Sequence, residues 1–268
     1  MSTRARDRLI TLSMARLAVL IHGMWGTSDV WRNWRPLLEA RGWQTLAPSL
    51  RHHDAPPESP PPALGTTSLH DYVADLETAL RALPEKPVVI GHSMGGLIAL
   101  LLCAKGLATA GVLLTPAPPA SVVALRPSNL LAFLRIQTTW GWWRKPHRAT
   151  LDEALAYTFN TTDAREGTEV HASFVHESGR ALFEIALPWL DATKAATVNP
   201  RLVTVPLLFV GAEKDQLVPP GVVRRTARQF AHVSDHAEYR DQGHWVRGQP
   251  GWDRVAEDTM TWLDAKAG

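Results

Sequence analysis

The chain contains a single cysteine, Cys103. No intramolecular disulfide can form, which fits a reducing compartment. Cys103 lies within an apolar segment and reads as an inert core thiol rather than a nucleophile. Long apolar runs are also missing. Nothing approaches the ~18 residues that a membrane-spanning helix needs, so no span is expected. The apolar stretch up to Leu12 is too short and interrupted for a secretory signal, and no small-residue cleavage site follows it. A cytoplasmic protein is therefore expected, with Met14 a candidate alternative start. Charge of one sign is scarce as well: 28 basic against 26 acidic residues leave a net +2. No Lys/Arg run is long enough for a nucleic-acid footprint, and no nucleic-acid partner is expected. Internal repeats are absent. The one dense group of metal-type ligands, His52-His53-Asp54, is contiguous and has no second half elsewhere. Three neighbouring residues cannot easily converge on one ion, so no metal is expected.

What is present is enough for a large core. The chain has 268 residues, 45% of them hydrophobic, which suits one large α/β domain with an insertion. Apolar β-branched runs at Leu17–Ile21, Pro87–Ile90, Gly111–Thr115 and Val205–Val210 read as buried strands, with Trp43–Pro48 and Ala237–Arg240 as further strands. Helical patterns alternate with them. Ser68-Leu69-His70-Asp71 has the form of a capping box and opens an amphipathic helix that Pro84 stops. Trp252 to Ala265 is a closing amphipathic helix. Strands alternating with helices in this way predict a doubly wound, mostly parallel sheet. Pro36 interrupts the helical pattern from Val30 to Leu38 and predicts a late start or a kink.

The most informative stretch is Gly91-His92-Ser93-Met94-Gly95. A strand precedes it, and an almost wholly apolar helix from Gly96 to Lys105 follows. A serine on a glycine-flanked turn between strand and helix is the nucleophile elbow, G-x-S-x-G, in the context that the motif requires. A serine hydroxyl is a weak nucleophile and needs a base that titrates near neutrality, which favours histidine. Among eleven histidines, His244 sits in a glycine-flanked loop after the last strand. His92 is next to the serine, but its side chain leaves the backbone in another direction. A carboxylate is then needed to orient the base. Asp215 and Asp241 are the candidates.

With His22-Gly23, the elbow, Gly211-Ala212-Glu213-Lys214-Asp215 and Gly243-His244 in this order, the chain resembles the α/β-hydrolase fold superfamily, specifically its serine esterases and lipases with a helical cap. The likeness runs from about Leu17 to the C-terminus. It implies an α/β-hydrolase core over residues 1–116 and 201–268, with a mainly helical cap inserted over 117–200. It also implies a catalytic triad of Ser93, Asp215 and His244, with Asp241 the rival acid. The backbone N–H groups of Met24 and Met94 would form the oxyanion hole, and His22 would be a structural hydrogen-bonder. The family often begins its sheet with an antiparallel hairpin. Little chain precedes Leu17, so that edge is expected to be one strand short.

The cap is expected to hold three helices, over Leu130–Ile136, Leu151–Phe159 and Ser178–Leu187, with no strand between them. Trp25 and Trp245 flank presumed site residues, and Trp140, Trp142 and Trp143 crowd the insertion. These five are the candidate substrate-binding residues. The expected function is hydrolysis of hydrophobic, uncharged carboxylic esters through an acyl-enzyme, with a small-molecule substrate and no cofactor. The same triad would serve a lactonase, thioesterase, amidase, C–C hydrolase or perhydrolase. A hydrolase-fold receptor with little turnover is the alternative from another class.

Overall fold

The computed structural model describes residues 16–123 and 127–267. Met14 lies outside them. Six strands form one sheet: β1 (Arg16–Ile21), β2 (Trp43–Leu46), β3 (Val88–His92), β4 (Ala110–Leu114), β7 (Leu207–Ala212) and β8 (Ser234–Tyr239). Their spatial order is β2-β1-β3-β4-β7-β8, and every pairing is parallel. Among the described residues β2 forms that edge; the segment before β1, where the hairpin is in question, lies outside them.

Strand alternation sends side chains to two cores. Val19, Ile21, Val89 and Leu113 belong to one face; Ala18, Leu20, Val88, Ile90 and Val112 belong to the other. Burial on both faces explains why these strands read as continuous apolar runs. The first face is covered by α2 (Leu69–Arg81), α3 (Met94–Ala104) and α7 (Pro220–Gln229). The second is covered by α1 (Trp34–Ala40) and α8 (Trp252–Lys266). The capping box at Ser68 forms as expected, with Asp71 Oδ2 accepting from Ser68 N at 2.9 Å. Pro36 falls in the first turn of α1, where its missing N–H has no intrahelical acceptor to lose. A short 3-10 turn, Ser28–Trp31, precedes it, so the helix does start late.

The segment between β4 and β7 departs from the sequence expectation. It contains α4 (Pro127–Gln137), α5 (Ala164–Ala172) and α6 (Gly179–Ala186). The expected helix over Leu151–Phe159 is instead a single α-turn at Leu151–Glu153 that widens into a π-turn over Ala154–Thr158. A two-residue antiparallel pair, β5 (Pro146–His147) with β6 (Glu177–Ser178), stands where no strand was expected. Two residues are too few to show alternation. Helix α5 was not anticipated, because its sequence AREGTEVHA carries no apolar stripe and buries only Gly167.

A buried polar network ties this segment to α2 and to the loop after β2. Glu177 Oε2 lies 3.0 Å from His53 Nε2, and Glu177 Oε1 accepts from Tyr72 OH at 2.7 Å and Ser178 N at 2.7 Å. His53 Nδ1 faces the Arg51 carbonyl at 3.1 Å. Both partners of the ring are acceptors, so both nitrogens donate and the imidazole is the cation. Burial alone would lower the His53 pKa, but the charge and hydrogen bond of Glu177 outweigh it and the net direction is up. Nearby, Glu184 accepts from Ser68 Oγ and Leu69 N, and Arg180 bridges Glu184 to Asp191.

Candidate active site

Ser93 stands between β3 and α3 with φ 56° and ψ −120°, a backbone conformation that a non-glycine residue adopts only under constraint. The constraint is visible on both sides. Ser93 N donates to Leu114 O at 3.0 Å, and Ser93 O accepts from Gly96 N and Ala117 N, both at 2.9 Å. The flanking glycines let strand and helix touch. A Cβ on Gly91 would lie 2.1 Å from Gly95 O, and one on Gly95 would lie 2.3 Å from Ile21 O. No other residue fits either position without displacing backbone.

His244 reaches the same place from the loop after β8. Its Nδ1 lies 2.8 Å from Asp215 Oδ2, with both side chains buried. Asp215 follows β7, and its Oδ1 accepts from Leu217 N and Val218 N, both at 2.8 Å. The carboxylate is thus oriented by backbone before it meets the imidazole. Asp241 is exposed in the turn after β8, so of the two candidate acids the structure brings Asp215 to His244.

Several residues that hold the histidine loop were not singled out from sequence. His92 Nε2 donates to His244 O at 2.8 Å, and Thr115 Oγ1 donates to the same oxygen at 3.3 Å. Burial, then the charge of Arg247, hold the His92 pKa well below its ordinary value, so the ring is neutral. Gln249 Oε1 accepts from Gly243 N at 3.2 Å and from Thr161 Oγ1 at 2.7 Å, so the β4–β7 segment grips this loop. His22 accepts from Leu50 N at Nε2, 2.9 Å, which makes Nδ1 the donor to Gly23 O at 2.8 Å. It therefore pins the start of the 23–26 loop and is not free to act as a base. Burial, then the neighbouring His53, push its pKa well down.

The N–H groups of Met24 and Met94 have no intramolecular acceptor among the described residues. Met94 is the first residue of α3, so its N–H also carries the positive end of the helix dipole. Trp25, next to Met24, has φ 62°, and its carbonyl accepts from Val175 N at 2.9 Å.

Ser93, His244, Met24 and Met94 line one cavity of about 130 Å³. Trp25 and Trp245 line it too. Trp140, Trp142 and Trp143 do not. Trp140 is 85% exposed, and Trp142 is buried against Phe183 within the segment between β4 and β7. The aromatic walls are supplied instead by Phe133, Phe159, Phe174 and Trp189. Trp25 stacks on Phe133 and Phe174, and Phe159 meets Trp245 edge to face. Sequence could name the aromatic residues, but not which of them turn inward. Among the described residues no group of three or more metal-type ligands converges.

Solved structures support the same fold. A methylesterase, MES16, from Arabidopsis superposes with a TM-score of 0.69 at 15% identity, over 93% of this chain and 99% of that one. A pyrethroid hydrolase from Sphingobium faniae JZ-2 gives 0.70 at 18% identity, over 94% and 98%. A monoacylglycerol lipase from Paleococcus ferrophilus gives 0.67 at 18% identity, over 93% and 94%. No curated protein matches the sequence. No helix among the described residues is long and apolar enough to cross a membrane. The model of the alpha/beta hydrolase family matches residues 18–257, and with the parallel sheet and the elbow in place the chain belongs to that family.

Proposed function

We propose that this hydrolase cleaves carboxylic esters of hydrophobic small molecules through an acyl-enzyme on Ser93. One observation carries the reading. A strained Ser93 shares a cavity with His244, whose Nδ1 is held by a carboxylate that backbone donors orient. His244 Nε2 takes the proton as Ser93 Oγ attacks the ester carbonyl. Charge moves to the carbonyl oxygen, which accepts from the N–H groups of Met24 and Met94. The intermediate collapses, the alkoxide leaves with the proton from His244, and the acyl group stays on Oγ. Water, deprotonated by His244, then attacks the acyl-enzyme, and the acid departs as Oγ recovers its proton. Asp215 holds the Nε2-acceptor tautomer and stabilises the imidazolium. No cofactor enters these steps.

The substrate class rests on the cavity lining, where phenylalanine, tryptophan and aliphatic side chains dominate. In this reading residues 117–200 act as a cap over the core of 1–116 and 201–268, and supply Phe133, Phe159 and Phe174 to the acyl pocket. Methylester, pyrethroid and monoacylglycerol hydrolysis, named for the structural neighbours, fall within the same chemistry. The test is a fluorophosphonate probe beside a p-nitrophenyl ester assay. Ser93 should be labelled and the ester turned over. Ser93→Ala should lose both, by several orders of magnitude in rate, with an unchanged melting temperature. Ligand-induced melting shifts without turnover would identify a receptor instead, and labelling elsewhere would reject Ser93.

A further inference from the structure

Arg247 lies three residues after His244 in the same loop and is only 7% exposed. It lines the same cavity as Ser93 and His244, and among the described residues the only other titratable side chains in the lining are the imidazoles of His92 and His244. Among the described residues no carboxylate lines the cavity. Among the described residues the guanidinium makes one hydrogen bond, from Nη1 to Val30 O at 2.8 Å. Its Nε is buried without an acceptor, and no acidic side chain pairs with it among the described residues. A charge taken out of water with a single neutral acceptor is an uncompensated cost, and a fork of five donors is left largely unused. Burial, with the like charge of Arg32, pulls its pKa down to about 9. The indole N–H groups of Trp25 and Trp245, which also belong to the lining residues, are buried and lack acceptors among the described residues. Arg247 is therefore a buried cation without a counter-charge in a cavity lined mostly by apolar side chains.

We propose that Arg247 is an anion-binding residue of the substrate pocket, and that the ester taken there carries a second, carboxylate group. The compensating charge comes from the ligand. The inference rests on the ester-hydrolase reading and narrows it: the substrate is mostly apolar, as the walls require, with one anionic end. Arginine suits a carboxylate because its planar donors match both oxygens. A purely structural role would make Arg247 a tie to the 28–31 turn and nothing more.

The experiment compares matched pairs of p-nitrophenyl esters. Mono-p-nitrophenyl succinate, glutarate, adipate and pimelate are each set against an acyl chain of equal length in which isopropyl replaces the carboxylate. The readout is the ratio of kcat/KM, anionic over neutral, for wild type and Arg247→Met. Hydrolysis of the neutral esters tests the ester-hydrolase reading by itself, while the ratio tests Arg247. At one chain length or more, wild type should process the anionic ester at least as well as its partner. Arg247→Met should cut that ratio by about tenfold or more, the worth of a hydrogen bond to a charged group. Arg247→Lys, which keeps the charge, should lose less. The same ratio in wild type and Arg247→Met would overturn the proposal. Should Arg247→Met fail to fold, wild type decides alone: a carboxylate entering an apolar cavity without a counter-charge is strongly disfavoured. Parity at any length then supports the proposal, and a tenfold or greater preference for the neutral ester at every length overturns it.

Discussion

Replacing Asp215 by asparagine changes one atom and should nearly abolish turnover. The reason lies in the two backbone donors behind the side chain. Leu217 N and Val218 N both point at Oδ1, at 2.8 Å. An asparagine must place its carbonyl oxygen there, because the flipped amide would set its NH₂ against two N–H groups. Leaving two buried donors unpaired costs about 1–3 kcal/mol each, so the orientation is fixed by about 2–6 kcal/mol. The NH₂ then occupies the Oδ2 position, 2.8 Å from His244 Nδ1. A donor at that place requires Nδ1 to accept, which moves the ring proton to Nε2. That nitrogen can no longer take the proton of Ser93. A wrong-tautomer imidazole lowers kcat by about 10⁴-fold, or about 5.4 kcal/mol at 1.36 kcal/mol per decade. The assay is initial-rate hydrolysis of p-nitrophenyl butyrate by purified Asp215→Asn, with the melting temperature taken in parallel. Asp241→Asn, altering an exposed side chain, should stay near wild type. A folded Asp215→Asn that keeps more than about a tenth of kcat would refute the tautomer argument. A larger loss in Asp241→Asn would move the acid to that residue.

Three further outcomes follow from distances and charges in the structure. Gly95→Ala puts a methyl 2.3 Å from Ile21 O and 2.4 Å from His22 O, so α3 or the end of β1 must give way. A loss of about 1–3 kcal/mol in stability is expected, with about a 10²-fold fall in kcat if the elbow shifts by about 1 Å; denaturant melts and rates together check it. The His53–Glu177 pair should make stability pH-dependent. Because the folded pKa of His53 is raised, its contribution is complete below the unfolded value near 6.5 and is lost as pH rises through the folded value. The melting-temperature gap between wild type and His53→Gln should be widest at about pH 5.5 and close on the alkaline side; a gap that widens with pH would contradict the cationic assignment. For neutral p-nitrophenyl esters from acetate to dodecanoate, kcat/KM should climb by up to about fourfold per methylene and then fall. Phe159→Ala or Phe174→Ala should move that optimum, whereas Trp140→Ala should not; the opposite pattern would return the exposed tryptophan to the acyl pocket.

The elbow, the parallel strands and the capped α2 were legible in the sequence because each is local. A serine between two glycines, with a strand before and a helix after, states its own geometry. Runs such as Leu17–Ile21 state double-sided burial. The late start of α1 follows from Pro36 alone. The segment between β4 and β7 was much less legible. Helix α5 has no apolar face to announce it, and β5 with β6 is too short to show a period. The five tryptophans singled out there and in the loops were sorted by packing: Trp25 and Trp245 line the cavity, while Trp140, Trp142 and Trp143 do not.

The sequence by itself determined which chemistry is available: a serine on a strained turn, a histidine and a carboxylate in the chain order of a hydrolase, and one buried thiol with nothing to pair with. Only the tertiary structure decided which groups meet. His244 faces Asp215 rather than Asp241 because the backbone after β7 aims the Asp215 carboxylate, while Asp241 is exposed in the turn after β8. His92 and Gln249 hold the histidine loop, and His53 stands with Glu177, across separations of many residues that no pattern reports. The same is true of Arg247. In the sequence it is one of 28 basic residues; its place in the cavity wall, without a counter-charge, exists only once the loop after β8 folds against the 23–31 segment.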